Sequence, residues 1–306
     1  MRQALFVISP AGIRHLHLLE EHCREAAAAY GWRPELLVTT EGERSAELHH
    51  DLSSYARQGG EKLVFAVGGD GTVRACAHDL ARSGVPLSIV PRGTANLFAK
   101  AIGAPVDLRQ ALRAGFAGEE RWVDMAFAGG GQPFVAMGGI GLDAAVVEAT
   151  PRFFKEHLGW LGYAATSLGQ VVHPGTSMTV HLDGRERLVR RAYSVAVGNV
   201  AILLAGFTLL PGASIDDGLL DVGVLQPRGL AGWLSLARHV VAGTEVSGHF
   251  EHFQASKVEI CADEELPRQL DGDLLPHGRC LSVEVAGRAL LVRVPRRGIP
   301  AAPGTF

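Results

Sequence analysis

A chain of 306 residues with 47% hydrophobic residues, 20% charged residues and 38 glycines is too apolar for disorder and too rich in turns for a coiled coil, and its length suits about two domains. Its 29 Lys and Arg against 32 Asp and Glu give a formal charge of −3, which leaves no basic excess for holding a nucleic-acid backbone, so no nucleic-acid partner is expected. The four cysteines, at 23, 76, 261 and 280, form no CxxC pair and no metal-ligand spacing, and a chain this long needs no disulfide staple; a reducing, cytoplasmic setting is expected.

The N-terminus carries an apolar run only over residues 4–8 before Pro10, too short for the apolar region of a signal peptide, and reads as a first strand. No stretch approaches the roughly 18 consecutive apolar residues of a spanning helix, although the mean hydropathy of +0.14 is high. Short apolar runs over 5–8, 35–38, 63–67 and 87–90 alternate with helical patterns near 12–30, 43–58 and 72–83. Strands alternating with helices at this spacing predict βαβ units and a parallel sheet covered on both faces. Beyond residue 120 the pattern changes to strands over 121–128, 178–182, 188–196, 220–225, 257–261, 281–285 and 290–294, with helices over 153–172 and 230–241. The reading is an α/β N-terminal domain over 1–122 and a β-rich antiparallel domain over 123–306, whose last strands are left open to return to the first domain. The proline-rich tail over 295–306 is expected to fray.

The sharpest chemical feature is Gly68-Gly69-Asp70-Gly71-Thr72, at the carboxyl end of one strand and just ahead of a helix. Glycines there let backbone N–H groups approach an anion, and the helix N-terminus adds its positive dipole end. A plain tight turn uses the same residues. A second loop of the same kind, Pro91-Arg92-Gly93-Thr94-Ala95-Asn96, follows the next strand. Ligands of open α/β sheets bind at the carboxyl ends of strands, so two adjacent Gly-Thr loops can converge on one phosphate chain. No GxxxxGK[ST] is present, so the site is not a P-loop. Asp70 beside phosphates calls for a cation, and Asp216-Asp217-Gly218-Leu219-Leu220-Asp221 offers further hard oxygen donors.

Two motifs are set aside. Residues 139–144 fit a GxGxxA fingerprint but lack a βαβ context, and read as a close-packed turn. His249 and His252, without a third ligand, read as surface residues.

Taken in order, Ser9-Pro10-Ala11-Gly12, the GGDGT loop, the PRGTAN loop, residues 138–144, the DDGLLD segment and Leu270-Asp271-Gly272-Asp273 resemble the diacylglycerol kinase catalytic domain family, which includes bacterial lipid kinases and sphingosine kinases and shares its fold with NAD kinases. The resemblance covers nearly the whole chain. It implies an ATP-dependent lipid kinase with an NAD kinase-like α/β domain, a β-rich domain and the nucleotide in a cleft between them. It assigns Ser9, Gly12, Thr39, Gly68, Gly69, Asp70, Gly71, Thr72, Gly93, Thr94 and Asn96 to the nucleotide. It assigns Mg²⁺ to the Asp217 side chain and the carbonyls of Ser214 and Leu219, and catalysis to Asp273, as proton acceptor, with Asp271 of the same turn.

The family more often has glutamate where Asp273 stands, Asn-Pro where Ser9-Pro10 stands, Asn-Glu where Arg74-Ala75 stands, and an aliphatic residue in place of Arg92. The two arginines read either as added positive charge near phosphates or as solvated residues. The acceptor expected is diacylglycerol or a related glycerolipid. Its acyl chain would pack against apolar residues such as Phe153, Trp160, Tyr163, Leu203 and Phe207 during transient peripheral contact with a membrane surface. NAD or a small alcohol as acceptor, or a catalytically weak nucleotide- or lipid-binding regulator, are the alternatives, and the sequence does not decide between monomer and homodimer.

Overall fold

The computed structural model describes residues 2–39, 46–141, 144, 175–200, 203–204, 207–208, 210, 212–227, 229, 231–233, 235, 238 and 250–296. The chain divides into two units: Met1–Val123 together with Arg288–Phe306, and Asp124–Gly287.

In the first unit, near-continuous apolar runs become strands buried on both faces, as a parallel sheet requires. The order along the chain is β1 (Arg2–Ile8), α1 (Leu16–Ala29), β2 (Arg33–Val38), α2 (Ala46–Arg57), β3 (Glu61–Gly68), α3 (Asp70–Leu80), β4 (Leu87–Pro91), α4 (Leu97–Ala101) and α5 (Leu108–Ala117), followed by β5 (Glu119–Ala128). The sheet order is β4-β3-β1-β2, all parallel, with β1 pairing both β2 and β3. Consecutive strands therefore leave β1 on opposite sides, which makes the carboxyl ends of β1 and β3 the point where the strand order reverses, the usual ligand position in open α/β sheets. Phe6 and Phe65 stack at 4.6 Å between ring centroids, and Phe116 of α5 packs against both. Both free cysteines, Cys23 and Cys76, are buried in this unit. Helices α4 and α5 lie outside the predicted elements. The signal for α5 is Asp107 three residues before Gln110, and the Asp107 carboxylate does cap the helix by accepting the Gln110 N–H at 3.0 Å.

The second unit holds the second half of β5, from Asp124, then β6 (Gln132–Phe134), β7 (Met137–Gly141), β8 (Thr176–Leu182), β9 (Arg185–Ala192), β10 (Ser194–Gly198), β11 (Leu203–Leu204), β12 (Phe207–Thr208), β13 (Leu220–Leu225), β14 (Phe250–Ala255), β15 (Lys257–Leu270) and β16 (Asp273–Val294), of which the residues from Arg288 belong to the first unit. The order β14-β13-β10-β7-β15-β16 is antiparallel throughout, and β8 pairs with β15 and β9. Its core is aliphatic, built on Ile140, Val195, Val222, Val258 and Ile260. Within the first unit, Val292 of β16 pairs in parallel with Leu87 of β4.

Four expectations change. Residues 138–141 are not a turn but the buried strand β7, in which Gly138 lies against Leu270 of β15. The run over 188–196 is two strands, β9 and β10, interrupted at Tyr193. The two runs over 281–285 and 290–294 are one strand, β16. Cys261 and Cys280 are bridged by a disulfide, because the β15–β16 register places them directly opposite each other at 4.2 Å between Cα atoms. His252 is exposed, as expected, and its Nε2 lies 2.6 Å from Oδ1 of the buried Asp221.

The apolar residues over 153–172, together with His249 and the tail from 297, lie outside the described residues, as do the side chains of residues 201–209. Residues 229, 231–233, 235 and 238 are helical. No helix among the described residues is long and apolar enough to cross a membrane.

Candidate functional site

In the first unit every predicted nucleotide segment follows the carboxyl end of a parallel strand. Ser9 follows β1, with its N–H bonded to the Val67 carbonyl at 3.0 Å, and Gly12 lies in the turn beyond it at φ +76°. Thr39 follows β2, its N–H bonded to the Ile8 carbonyl at 2.9 Å. Residues 68–72 run from β3 into α3, whose N-cap is Gly69 with no side chain capping it. The first-turn amides of Asp70, Gly71 and Thr72 are thus left for an external acceptor, which is what an anion at a helix N-terminus uses.

The second loop leans on the first. Arg92 N–H donates to the Gly68 carbonyl at 2.8 Å, and the Asp70 carboxylate accepts the Leu97 N–H at 2.8 Å at the start of α4. The backbones of Gly69 and Gly93 come so close that a Cβ on Gly93 would sit 2.6 Å from the Gly69 Cα. Asn96, in the left-handed region at φ 48°, brackets Gly93: its Nδ2 donates to the Gly93 carbonyl at 2.6 Å and its Oδ1 accepts the Gly93 N–H at 3.0 Å. Asn96 is therefore a loop-shaping residue, whereas Thr94 beside it is exposed. Arg92 donates from its guanidinium to the Val106 carbonyl at 3.3 Å, which holds it against its own unit.

Burial pushes the Asp70 carboxyl above the ordinary aspartate range, against the opposing hydrogen bond from Leu97. A carboxyl with a raised folded-state pKa costs stability when ionised, and that cost disappears as pH falls through the folded pKa toward the unfolded value near 3.9. Asp70→Asn is accordingly expected to raise the denaturant midpoint at pH 7.5 and to leave it unchanged below about pH 4, which denaturation curves across that range check.

In the second unit, Leu270-Asp271-Gly272-Asp273 is a two-residue hairpin turn joining β15 to β16, with φ 49° at Asp271 and 82° at Gly272. Both central residues lie at positive φ, the type I′ pattern for which Asp-Gly is suited. The two carboxylates are placed differently. Asp271 accepts three backbone amides, from Val135, Ala136 and Met137, each at 2.9 Å, and its own N–H donates to the Met137 carbonyl at 2.7 Å. Asp273 is exposed at the first position of β16. Asp271 thus clasps the turn to the segment entering β7. Asp271→Ala is expected to cost about 3 kcal/mol of stability by leaving charge-assisted acceptors missing from buried amides, measured by chemical denaturation.

The acidic segment before β13 is held from beneath by a residue the sequence reading did not select. Asp124, fully buried in β5, accepts the Gly218 N–H at 2.6 Å, while its own N–H donates to the Ile215 carbonyl at 2.7 Å and its carbonyl accepts the Asn199 amide at 2.8 Å. A lone aspartate inside the apolar run Trp122-Val123-Asp124-Met125-Ala126 was the available signal. Asp217 is exposed, and its Oδ1 accepts the Leu219 N–H at 3.0 Å. Ser214 bonds the Asp216 carboxylate at 2.9 Å. Asp221 is not part of that surface: it is fully buried, paired to His252 and Gln254, and burial pushes its carboxyl up. Among the described residues no three His, Cys, Asp or Glu side chains cluster to hold a metal.

Residues 3–128 match the diacylglycerol kinase catalytic domain, and residues 136–294 match the YegS C-terminal NAD kinase beta sandwich-like domain. Over 284 residues, 89% of each chain, the sequence is 32% identical to a Pseudomonas fluorescens protein named "Probable lipid kinase YegS-like". It is 34% identical over 241 residues, 77% of this chain and 78% of the relative, to a protein of the same name from Pseudomonas aeruginosa. Among solved structures, a "putative diacylglycerol kinase" from Bacillus anthracis aligns over 96% of this chain and 95% of its own, with a TM-score of 0.79 and 26% identity. An NAD kinase from Archaeoglobus fulgidus aligns over 96% of this chain and 93% of its own, with a TM-score of 0.52 and 13% identity, and shares the fold. With its parallel α/β unit, its antiparallel β unit and its ordered glycine and aspartate turns, the chain is a kinase of the diacylglycerol kinase catalytic domain family.

Proposed function

We propose that this kinase transfers the γ-phosphoryl group of ATP to the hydroxyl of diacylglycerol or a related glycerolipid. The observation that carries the reading is the backbone contact of Gly69 with Gly93 beside the uncapped start of α3, which builds one anion-binding edge from two loops. The amides of residues 70–72 would hold the phosphates, with Ser9, Gly12, Thr39 and Thr94 around them. Phosphoryl transfer needs little covalent help and depends on position and charge. Asp273 is the group proposed to take the proton of the attacking lipid hydroxyl as its oxygen bonds to phosphorus and ADP leaves. Asp271 keeps the turn that carries Asp273 in place.

The donor set before β13 fits Mg²⁺ chemically. Asp217 has one oxygen held by the Leu219 N–H and the other without a hydrogen bond among the described residues, and the carbonyls of Ser214 and Leu219 are hard donors of the kind this ion takes. The ion, when bound, supplies positive charge that offsets phosphate charge. Asp124 contributes by fixing Gly218, and with it the loop.

The lipid acceptor carries with it transient contact with a membrane surface. Leu274, exposed beside Asp273, is an apolar side chain at the position where an acyl glycerol would be met. The purified protein is expected to release ADP from Mg·ATP in proportion to added diacylglycerol, and native mass spectrometry is expected to find co-purified glycerolipid. ADP release driven instead by NAD or a small alcohol would replace the lipid reading, and lipid binding without ADP release would make the chain a binder.

A further inference from the structure

The two cysteines that the sequence left unassigned stand at the base of the hairpin whose tip carries Asp271 and Asp273. Below the bridge the β15–β16 ladder is regular, from Lys257 opposite Glu284 to Cys261 opposite Cys280. Above it the register shifts twice, between Cys261 and Leu266 and again between Leu266 and Arg268, before the last pairs, from Arg268 opposite Leu275 to Leu270 opposite Asp273. Irregularities of this kind interrupt ladder hydrogen bonds and leave a strand less constrained.

The gap is spanned by one side chain. The Arg268 guanidinium donates to the Cys280 carbonyl at 2.7 Å and twice to the Pro276 carbonyl, at 3.0 and 2.8 Å. It occupies the space that a Cβ on Gly278 would need. Arg268 is thus fastened to the backbone of a bridged cysteine on one side and lies two residues from Leu270, where the turn begins, on the other.

Accessibility singles out this pair. Cys280 is exposed and Cys261 half-buried, whereas Cys23 and Cys76 are fully buried in the other unit. Burial also pushes the Cys23 thiol up to about 12 and raises the Cys76 thiol as well, which removes the thiolate needed for exchange.

We propose that Cys261–Cys280 is a reversible thiol–disulfide exchange site, addressed by a small or protein dithiol, that sets the rigidity of the hairpin carrying the proposed proton acceptor. A thiolate of the reductant attacks the Cys280 sulfur, the bond between the two sulfurs breaks, and Cys261 leaves as a thiolate that takes up a proton. The second thiol of the reductant then displaces Cys280 from the mixed disulfide. The reductant ends as its own disulfide, and both cysteines as thiols, two electrons having passed to the pair. An oxidised dithiol, or glutathione disulfide, runs the exchange backward. In the bridged form the base of the hairpin is covalently in register and Arg268 has a fixed carbonyl to hold. In the reduced form that carbonyl is held by the ladder alone, and β16 from Asp273 onward loosens. The consequence for catalysis rests on the role proposed above for Asp273; the exchange chemistry does not.

The test uses the whole 306-residue chain, purified without reductant and compared before and after native treatment with dithiothreitol. Iodoacetamide labelling is expected to find no reactive thiol before treatment and two after it, at Cys261 and Cys280, with reversal by glutathione disulfide. Amides of residues 262–279 are expected to exchange hydrogen about tenfold faster in the reduced form, and lipid turnover to fall about fivefold with ATP affinity unchanged. A folded Cys261→Ser/Cys280→Ser protein should match the reduced form with or without reductant, and the labelling and exchange arms stand without that variant. Absence of the bridge in the untreated protein, resistance to native dithiothreitol, or equal exchange over 262–279 in both forms would overturn the proposal. Labelling and exchange as expected, in a protein that phosphorylates no lipid, would instead support the exchange site and sink the lipid kinase reading.

Discussion

Replacing Asp273 by asparagine should lower lipid phosphorylation by about 10²–10⁴-fold, the range that a positioned proton acceptor contributes. The carboxylate is exposed, so its loss removes little packing, and neither the denaturant midpoint nor ATP affinity should move. The turn itself survives the change, because Asp271 continues to accept the amides of Val135, Ala136 and Met137. Asp273→Glu is the informative companion. The side chain gains one methylene and becomes the residue more usual in the family at this position, so activity should stay within about tenfold of the parent. Steady-state assays with ADP detection, alongside calorimetric ATP titration, separate these outcomes. Full activity in Asp273→Asn would remove Asp273 from the reaction.

Gly93→Ala should weaken ATP binding by about 10²-fold, the cost that a displacement of the order of 1 Å carries at a positioned site. A Cβ there would lie 2.6 Å from the Gly69 Cα and 2.9 Å from the Asn96 Oδ1. The amide of Asn96 can rotate at the cost of its bonds to Gly93, but the Gly69 backbone is fixed between β3 and α3 and cannot yield locally. The two loops must part. Some loss of stability should accompany this, about 1–3 kcal/mol as for other overpacked sites. Gly59→Ala, with open space around its position, is the matched control and should bind ATP like the parent. Isothermal titration with ATP reads both, and equal affinity in Gly93→Ala would mean that the glycine contact does not shape the nucleotide site.

The parallel half of the fold was legible because its strands are short apolar runs separated by helical periodicity, and each signal is local. Helix α5 was legible too, since Leu108, Ala111, Leu112 and Phe116 recur at helical spacing behind the Asp107 cap, but it was passed over. Strands β15 and β16 were read short because their pairing continues through Pro267, Pro276 and a bulge rich in Asp and Glu, where no two-residue alternation survives. Strand β7 was hidden by Gly138, Gly139 and Gly141, which look like a turn until their partners on β10 and β15 are known.

The two glycine loops were legible as motifs, but the contacts that join them were not. Asn96 and Asp70 look like ligands in sequence and serve, at least in part, to fasten one loop to the other. The same holds for Asp271, whose three amide partners lie 134 to 136 residues earlier in the chain. The disulfide, too, depends on register rather than on spacing: 19 residues separate the cysteines, and only the antiparallel pairing brings them together.

Transfer of label tests the central claim most directly. Incubating the purified protein with Mg²⁺ and ATP carrying an isotopic label in the γ-phosphoryl group, together with diacylglycerol, NAD and glycerol in one mixture, should place the label in a phosphorylated lipid that partitions into the organic phase and gains the mass of one phosphate. Label found only in NADP or glycerol phosphate, or only in inorganic phosphate, would contradict the account.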